Sequence, residues 1–284
     1  MSDTPSNDQR PMLRNVFDGA ADTYDAVGVS FFQPIADHLV SLLAPRPGER
    51  ALDIGCGRGA VLFPVARAVG TGSAGGRVVG IDLSPRMIEA TARDVAAAGL
   101  DIDVRVDDAQ EPSLDAASFD LIAASLVLFF LPDPAAALVA WRELLVDGGR
   151  LGISTFGELS PTWHEVDAVF APYLPPAMAD PRTQAASSPF GSDAGMEALF
   201  TGAWFAEVRT ASITVPVRFD DGEQWHRWTW SQGQRRMWEF VPESERAAVR
   251  AAASERLEAT RDADGRIGFD QGVRYTFGTR SAIE

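Results

Sequence analysis

Apolar residues recur along this chain with two different periods, and the switches between them outline a fold. From Pro11 to Leu43 they fall irregularly at helical spacing (Val16, Phe17, Tyr24, Phe31, Phe32, Ile35, Leu39, Leu42, Leu43), until Pro45-Arg46-Pro47-Gly48 stops the pattern. Short apolar runs then alternate with helical ones. Strands are predicted at Arg50 to Ile54, Arg77 to Ile81, Ile102 to Val106, Phe119 to Ala124 and Leu151 to Thr155. Ser84-Pro85 and Asp133-Pro134 each put a capping side chain before a proline at the first helical position. Gly99 and Gly148-Gly149 supply the stops, with the second helix running to Val146. Strands separated by helices in this way predict an α/β fold with a doubly wound parallel sheet. Leu121-Ile122-Ala123-Ala124 has the continuous apolar character of a strand buried on both faces.

The second half is less regular. Six prolines between Phe156 and Pro189 predict a broken-helix insertion. A helix is expected from Ala194 to Phe200, an alternating strand from Glu207 to Val217, and a last strand from Gly272 to Gly278. Between these lies a largely helical stretch that concentrates Trp225, Trp228, Trp230 and Trp238. The resulting division is a helical lid (1–44), a ligand-binding core (45–155), a cap insertion (156–193), a core helix and strand (194–219), a tryptophan-rich cap (220–265) and a final strand and tail (266–284). The tail strands are read as completing the same sheet, and residues 1–10 as frayed.

Composition narrows the function. The 284 residues carry 25 basic and 40 acidic side chains, a balance of −15, and every basic residue is arginine. Such a surplus of acid argues against nucleic acid as a partner. One cysteine, Cys56, excludes an internal disulfide and a cysteine-rich metal site; no metal site is expected. The polar stretch Met1 to Arg10 is not followed by a signal-peptide apolar region. The longest apolar stretch, Leu121 to Leu131, is about half of what a spanning helix requires. A cytoplasmic protein with no membrane partner is expected, as a monomer or homodimer. The charge is unevenly spread: seven acids face one arginine between Asp101 and Asp120, whereas six arginines face four acids between Trp225 and Arg256.

The sharpest motif is Leu52-Asp53-Ile54-Gly55-Cys56-Gly57-Arg58-Gly59. A strand that ends in glycines and opens into a helix lets a ligand lie on the backbone, with helix N–H groups turned toward its negative end. Gly55, Gly57 and Ala60 also satisfy a relaxed dinucleotide fingerprint, so a nicotinamide oxidoreductase is one reading. Asp82, closing the second strand, fits a ribose in either case. Two features favour a different ligand. Asp53 puts a carboxylate where a dinucleotide site usually keeps an apolar residue, which suits a ligand bearing a positive amine. Asp107-Asp108-Ala109 follows the third strand, where a carboxylate could accept the exocyclic amine of adenine.

With these motifs the chain resembles class I S-adenosylmethionine (SAM)-dependent methyltransferases, in particular the branch similar to ubiquinone/menaquinone-biosynthesis methyltransferases (methyltransferase type 11). The resemblance rests on Leu52 to Gly59, Gly80-Ile81-Asp82, Asp107-Asp108-Ala109, Phe119 to Ser125, Trp141 to Leu145 and Gly148 to Leu151. The opening segment Phe17 to Asp25 belongs with them. The close likeness covers roughly residues 15 to 155. It implies a Rossmann-like seven-stranded sheet with the last strand antiparallel. It further implies that Asp53, Gly55 and Gly57 hold the methionine part of SAM, Asp82 the ribose, Leu83, Asp108 and Ala109 the adenine, and that Ser125 lies beside the sulfonium. Tyr24 would close the pocket from the lid and meet the substrate. S-adenosylhomocysteine would be the product.

The methyl acceptor implied is a small, largely apolar or aromatic metabolite of specialised metabolism, with oxygen preferred over carbon. A SAM-fold enzyme that catalyses cyclisation or rearrangement without methyl transfer would have the same cofactor motifs. If a base removes the acceptor's proton, His164 is the first candidate, followed by His226 and Glu165; each could equally be a surface or structural residue. Trp163, Trp225, Trp228 and Arg235 are candidates for the acceptor pocket, with Arg235 and Arg236 available to an anionic group. Tryptophans three apart on a helix are also ordinary core.

Overall fold

The computed structural model describes residues 10–72, 75–158, 160–175 and 188–281. The centre of the proline-rich insertion, with Pro176 and Pro181, and residues 1–9 of the stretch read as frayed lie outside the described residues, while its last residue, Arg10, opens a helix. Two helices, α1 (Arg10–Ala20) and α2 (Phe32–Leu43), precede the sheet. Then come β1 (Arg50–Ile54), α3 (Leu62–Val69), β2 (Arg77–Asp82), α4 (Pro85–Ala98), β3 (Asp103–Val106) and β4 (Phe119–Ser125). Helix α5 (Pro134–Leu144) leads into β5 (Leu145–Phe156). The Ser84 hydroxyl accepts from the Met87 N–H and the Asp133 carboxylate from the Ala136 N–H, so both capping signals are realised.

The remaining elements are α6 (Pro161–Asp167), α7 (Asp193–Gly202), β6 (Phe205–Phe219), α8 (Gly222–Trp230), α9 (Arg235–Phe240), α10 (Arg246–Glu258) and β7 (Ile267–Arg280). The seven strands form one sheet in the order β3-β2-β1-β4-β5-β7-β6, with β7 antiparallel to both neighbours. β2 and β4 run one residue past their predicted ends, and three further strands are longer by more. β5 starts at Leu145 instead of Leu151, because Phe119 of β4 already pairs with Leu145 and a register shift follows. β6 and β7 extend at both ends because they pair with each other over the whole ribbon from Phe205–Arg280 to Phe219–Ile267. Pro216 lies in β6, an edge strand where a missing N–H is tolerated.

Alternation along β1 divides the core. Leu52 and Ile54 join one apolar layer with Trp141, Phe200 and Phe205, while Ala51 joins the other with Ile35, Leu39 and Phe277. The tryptophans of α8 and α9 belong to the second layer. The order of strands fixes where a ligand goes. The chain winds outward from β1 through β2 to β3, then returns to lay β4 on the other side of β1. A crevice opens at the carboxyl ends of β1 and β4, where the winding reverses.

Candidate functional site

Two adjoining cavities occupy that crevice. The smaller, of about 110 Å³, is bounded by Asp53, Gly55, Gly57, Arg58, Tyr24 and Ser125, among others. The larger, of about 570 Å³, runs from Asp82, Leu83, Asp108 and Ala109 past Ser125 into the space beneath the lid and cap. Every sequence-predicted cofactor residue therefore lines one cavity or the other.

The glycines are there for geometric reasons. Gly55 has φ +67°, and a Cβ on it would lie 2.4 Å from Val127 Cγ2. Gly57 has φ +49°, and its N–H donates to Asp82 Oδ2 at 2.9 Å. The Ser84 N–H donates to Asp82 Oδ1 at 2.9 Å, so each Asp82 oxygen is oriented by one backbone donor. Lone pairs on both oxygens stay available for a pair of hydroxyls. Burial raises the Asp82 carboxyl pKa, and these backbone donors oppose the rise.

Asp53 is 3% exposed, and its Oδ2 has no hydrogen-bond partner. Burial first, and the nearby Asp82 charge second, push its pKa well above the ordinary carboxylate range; the Leu62 backbone N–H partly opposes this. A buried carboxylate oxygen left unpaired is costly unless a ligand supplies the partner. An ammonium group meets that requirement. This orphan oxygen, with the glycine cradle and the diol-ready Asp82, fits the amino-acid and ribose parts of SAM. Burial also raises the Cys56 thiol, so the cysteine between the glycines is a packed, unreactive one.

Further along, Trp141 Nε1 donates to the Ala109 carbonyl at 2.7 Å and fixes the turn after β3. Asp108 lines the cavity there, but the Arg10 guanidinium of α1 donates to its Oδ2 at 2.8 Å. The lid is tied down at other points too. Asp18 accepts from the Ser84 hydroxyl at the start of α4, Arg58 donates to the Ala21 carbonyl at 2.7 Å, and Arg235 donates to the Gly19 carbonyl at 2.9 Å. Tyr24 stacks on Phe32 with ring centroids 4.7 Å apart. Burial and the Asp82 and Asp25 charges raise its pKa, so its hydroxyl stays protonated.

Beyond Ser125 the cavity turns aromatic. The lid gives Phe17, Phe31 and Phe32; the segment after β4 gives Phe129 and Phe130; Phe156 ends β5, and Trp163 comes from α6. Phe129 and Phe130 were not foreseen. Their signal was the apolar run continuing to Leu131, past the length of one strand. Between them and Ser125 stands Leu126, with φ +58° although it is not glycine. Its N–H donates to the Ser154 carbonyl at 3.0 Å, and the Ser125 and Ser154 hydroxyls lie 2.9 Å apart. Backbone held in the left-handed region by neighbouring bonds is characteristic of functional sites.

Several predicted acceptor residues do not reach either cavity. His164 and Glu165 are exposed on the outer side of α6, because Trp163 and Val166 take the inward face and a helix turns about 100° per residue. His226 accepts a hydrogen bond from Trp230 Nε1 at 3.0 Å and packs against Trp238; burial lowers its pKa. Trp225 and Trp228 are each 1% exposed in the core of the cap. Arg235 pairs with Glu239 and the lid carbonyl, outside the cavity. Among the described residues no histidine or glutamate lines the large cavity. The cap contributes Gln232, Gln234, Arg236 and Met237 instead.

The profile of a methyltransferase domain matches residues 51–149. The chain is 40% identical over 276 residues to nocamycin O-methyltransferase of Saccharothrix syringae, spanning 93% of this chain and 96% of that protein. It is also 40% identical over 170 residues to aklanonic acid methyltransferase DauC of Streptomyces sp. strain C5, spanning 60% and 76% respectively. In fold it is similar to the SAM-bound phosphoethanolamine N-methyltransferase 2 of Haemonchus contortus, with a TM-score of 0.59 at 16% identity over 95% of this chain and 60% of that one. With site and relatives in agreement, the chain belongs to the SAM-dependent methyltransferases. Its cofactor is SAM. Among the described residues no helix is long and apolar enough to cross a membrane.

Proposed function

We propose that this enzyme transfers a methyl group from SAM to an oxygen of a small, largely apolar or aromatic metabolite of specialised metabolism. The observation that carries the reading is the continuity of the cavity. It passes Asp82 and Ser125, then opens into a chamber walled by Phe17, Phe31, Phe129, Phe156 and Trp163. SAM, when bound, supplies a methyl carbon already activated by the adjacent sulfonium. The chain's task is then to hold the acceptor in line and exclude water. Asp53 holds the amine end of the cofactor, Asp82 its ribose, and Ser125 with Leu126 borders the reacting end. The apolar walls orient a flat acceptor by burial. The two relatives named as methyltransferases of nocamycin and aklanonic acid support an acceptor of this character.

Methyl-labelled SAM incubated with the protein and a panel of small aromatic hydroxy compounds and acids tests the reading. The expected result is label in the acceptor, a mass gain of one CH2 and release of S-adenosylhomocysteine in equal amount. Conversion of an acceptor without mass gain would assign the site to a rearrangement or cyclisation. Titration with SAM and with NAD separates the nucleotide classes, with binding expected for SAM alone.

A further inference from the structure

One charged side chain of the acceptor chamber has no partner among the described residues. Arg236, the second residue of α9, lines the large cavity, and its Nε is buried with no hydrogen-bond partner. Neither an ion pair nor a hydrogen bond joins its guanidinium to any described residue, although Glu239 lies near enough to favour the charged form. Its neighbour Arg235 shows the ordinary arrangement, spending its donors on Glu239 and the Gly19 carbonyl. The amides beside Arg236 are also occupied. Gln232 bonds to Gln234, and Gln234 donates to Asp167, which in turn accepts from Trp163 Nε1 at 2.8 Å. The cap wall thus holds a satisfied amide network and, next to it, an unsatisfied cation facing an apolar chamber.

Guanidinium is not deprotonated in proteins, and Arg236 is partly buried with its Nε–H closed off from water, so an anion would relieve the cost of that unmet donor. The fork of donors matches a carboxylate or an enolate far better than a neutral hydroxyl. Among the described residues no histidine or glutamate lines the same cavity, its aspartates (Asp82, Asp107 and Asp108) lie at the cofactor end, and Tyr24 stays protonated. An alcohol would need a proton removed as the new bond forms. An oxygen of an acid is already ionised near neutral pH.

We infer that the acceptor enters as an organic anion, a carboxylate or enolate, that Arg236 binds its ionised group, and that this group supplies the oxygen methylated. The inference rests on the methyl-transfer reading of the same cavity and narrows it to a substrate class. A lone pair of the ionised oxygen forms the O–CH3 bond while the S–CH3 bond breaks, its electrons returning to sulfur. One negative and one positive charge are consumed, a neutral ester or enol ether and a neutral thioether result, and no proton is moved. A carboxylate has two oxygens, so one pairs with Arg236 while the other attacks.

The test uses 2-naphthoic acid, 2-naphthamide and 2-naphthalenemethanol as matched probes on the full chain saturated with S-adenosylhomocysteine. Calorimetry is expected to show the acid binding at least about tenfold more tightly than the amide, as befits a charge-assisted pair. Arg236→Met should abolish that preference, and Arg236→Lys should keep part of it, while S-adenosylhomocysteine binding stays within about twofold in both variants. With SAM present, the acid should yield its methyl ester and the alcohol should be left unchanged. Equal binding of acid and amide, a preference that survives Arg236→Met, failure of the acid to bind, or preferred turnover of the alcohol would each overturn the inference. Failure of the unmodified protein to bind S-adenosylhomocysteine would instead sink the methyl-transfer reading itself.

Discussion

The two ends of the cavity are built by opposite strategies. The cofactor end is made of strand termini and backbone: Asp53 stands next to last in β1, Asp82 closes β2, and the glycines between them let a ligand lie against N–H groups. Its side chains are short and their positions follow from the sheet. The acceptor end is made of long aromatic side chains from six separate segments, with polar groups confined to one wall of the cap. The first end is specified by a run of eight consecutive residues and two strand ends. The second exists only once lid, cap and sheet have come together. A general cofactor and a particular acceptor call for that difference.

The comparison is most sharply tested at Asp53. Replacing it with Asn is expected to weaken SAM binding at least a hundredfold, since losing one member of a buried charge pair costs about 3–5 kcal/mol. The same change should stabilise the ligand-free protein near pH 7. Folded Asp53 holds its proton above the usual carboxylate pKa, so the unfolded chain releases that proton first as pH rises. Stability is then lost with rising pH from about pH 4 upward. The Tm gain of Asp53→Asn over the parent should vanish near pH 4 and grow toward neutrality, and SAM affinity of the parent should grow in the same direction. A pH-independent Tm difference would contradict this account.

Gly55→Ala comes next. The new methyl would meet Val127 at 2.4 Å on a backbone with positive φ, at a cost of about 1–3 kcal/mol in stability together with weaker SAM binding. Adding Val127→Ala should recover only the steric part, as thermal denaturation with and without SAM will show. The acceptor end should respond differently. Phe129→Ala is expected to raise acceptor KM about tenfold, with SAM Kd unchanged, through loss of aromatic burial. Trp228→Phe, in the adjoining cap core, should cost about 1–2 kcal/mol of stability and leave acceptor KM alone. If Trp228→Phe alters KM as much as Phe129→Ala, the boundary drawn between cap core and chamber is misplaced. The smallest effect is expected at the histidines. His164→Ala and His226→Ala should each change kcat by less than about twofold and leave the shape of its pH profile intact, since neither reaches the cavity.

These contrasts parallel what could be read from the sequence. The parallel strands, their caps and the carboxylates at their ends were legible because each is a local pattern: an apolar run, then Asp or Gly, then a helix signal. The full lengths of β6 and β7 were missed, because their pairing is a property of two segments some 60 residues apart in the chain, as the partners Ala211 and Tyr275 show. So was the early start of β5, which takes Leu145 and Val146 from the helix predicted to run to Val146. Apart from Tyr24 and Trp163, the residues lining the aromatic chamber were not legible for a related reason. Phe31, Phe129 and Phe156 have the same local context whether they face a core or a chamber. In α6 the sequence drew attention to His164 for its chemistry, yet the apolar neighbours Trp163 and Val166 decide which way that helix turns, and they turn His164 to water. Among the tryptophans, number alone pointed to a pocket; packing puts Trp225 against Trp238, whose Nε1 donates to the Thr229 hydroxyl at 2.8 Å, and Trp228 against Phe31, Trp163 and Phe219.

That sorting of tryptophans has a practical side. Of the seven indoles in the chain, Trp163 alone, among the described residues, lines the chamber. Trp204, just before the edge strand β6, is 75% exposed, and Trp141 is fully buried against the turn after β3. The enzyme therefore carries its own optical probe at the position where an acceptor would arrive. Quenching of intrinsic emission on acceptor binding should be strong in the parent protein and largely absent in Trp163→Phe, and it gives a label-free titration for compounds that bind without turning over.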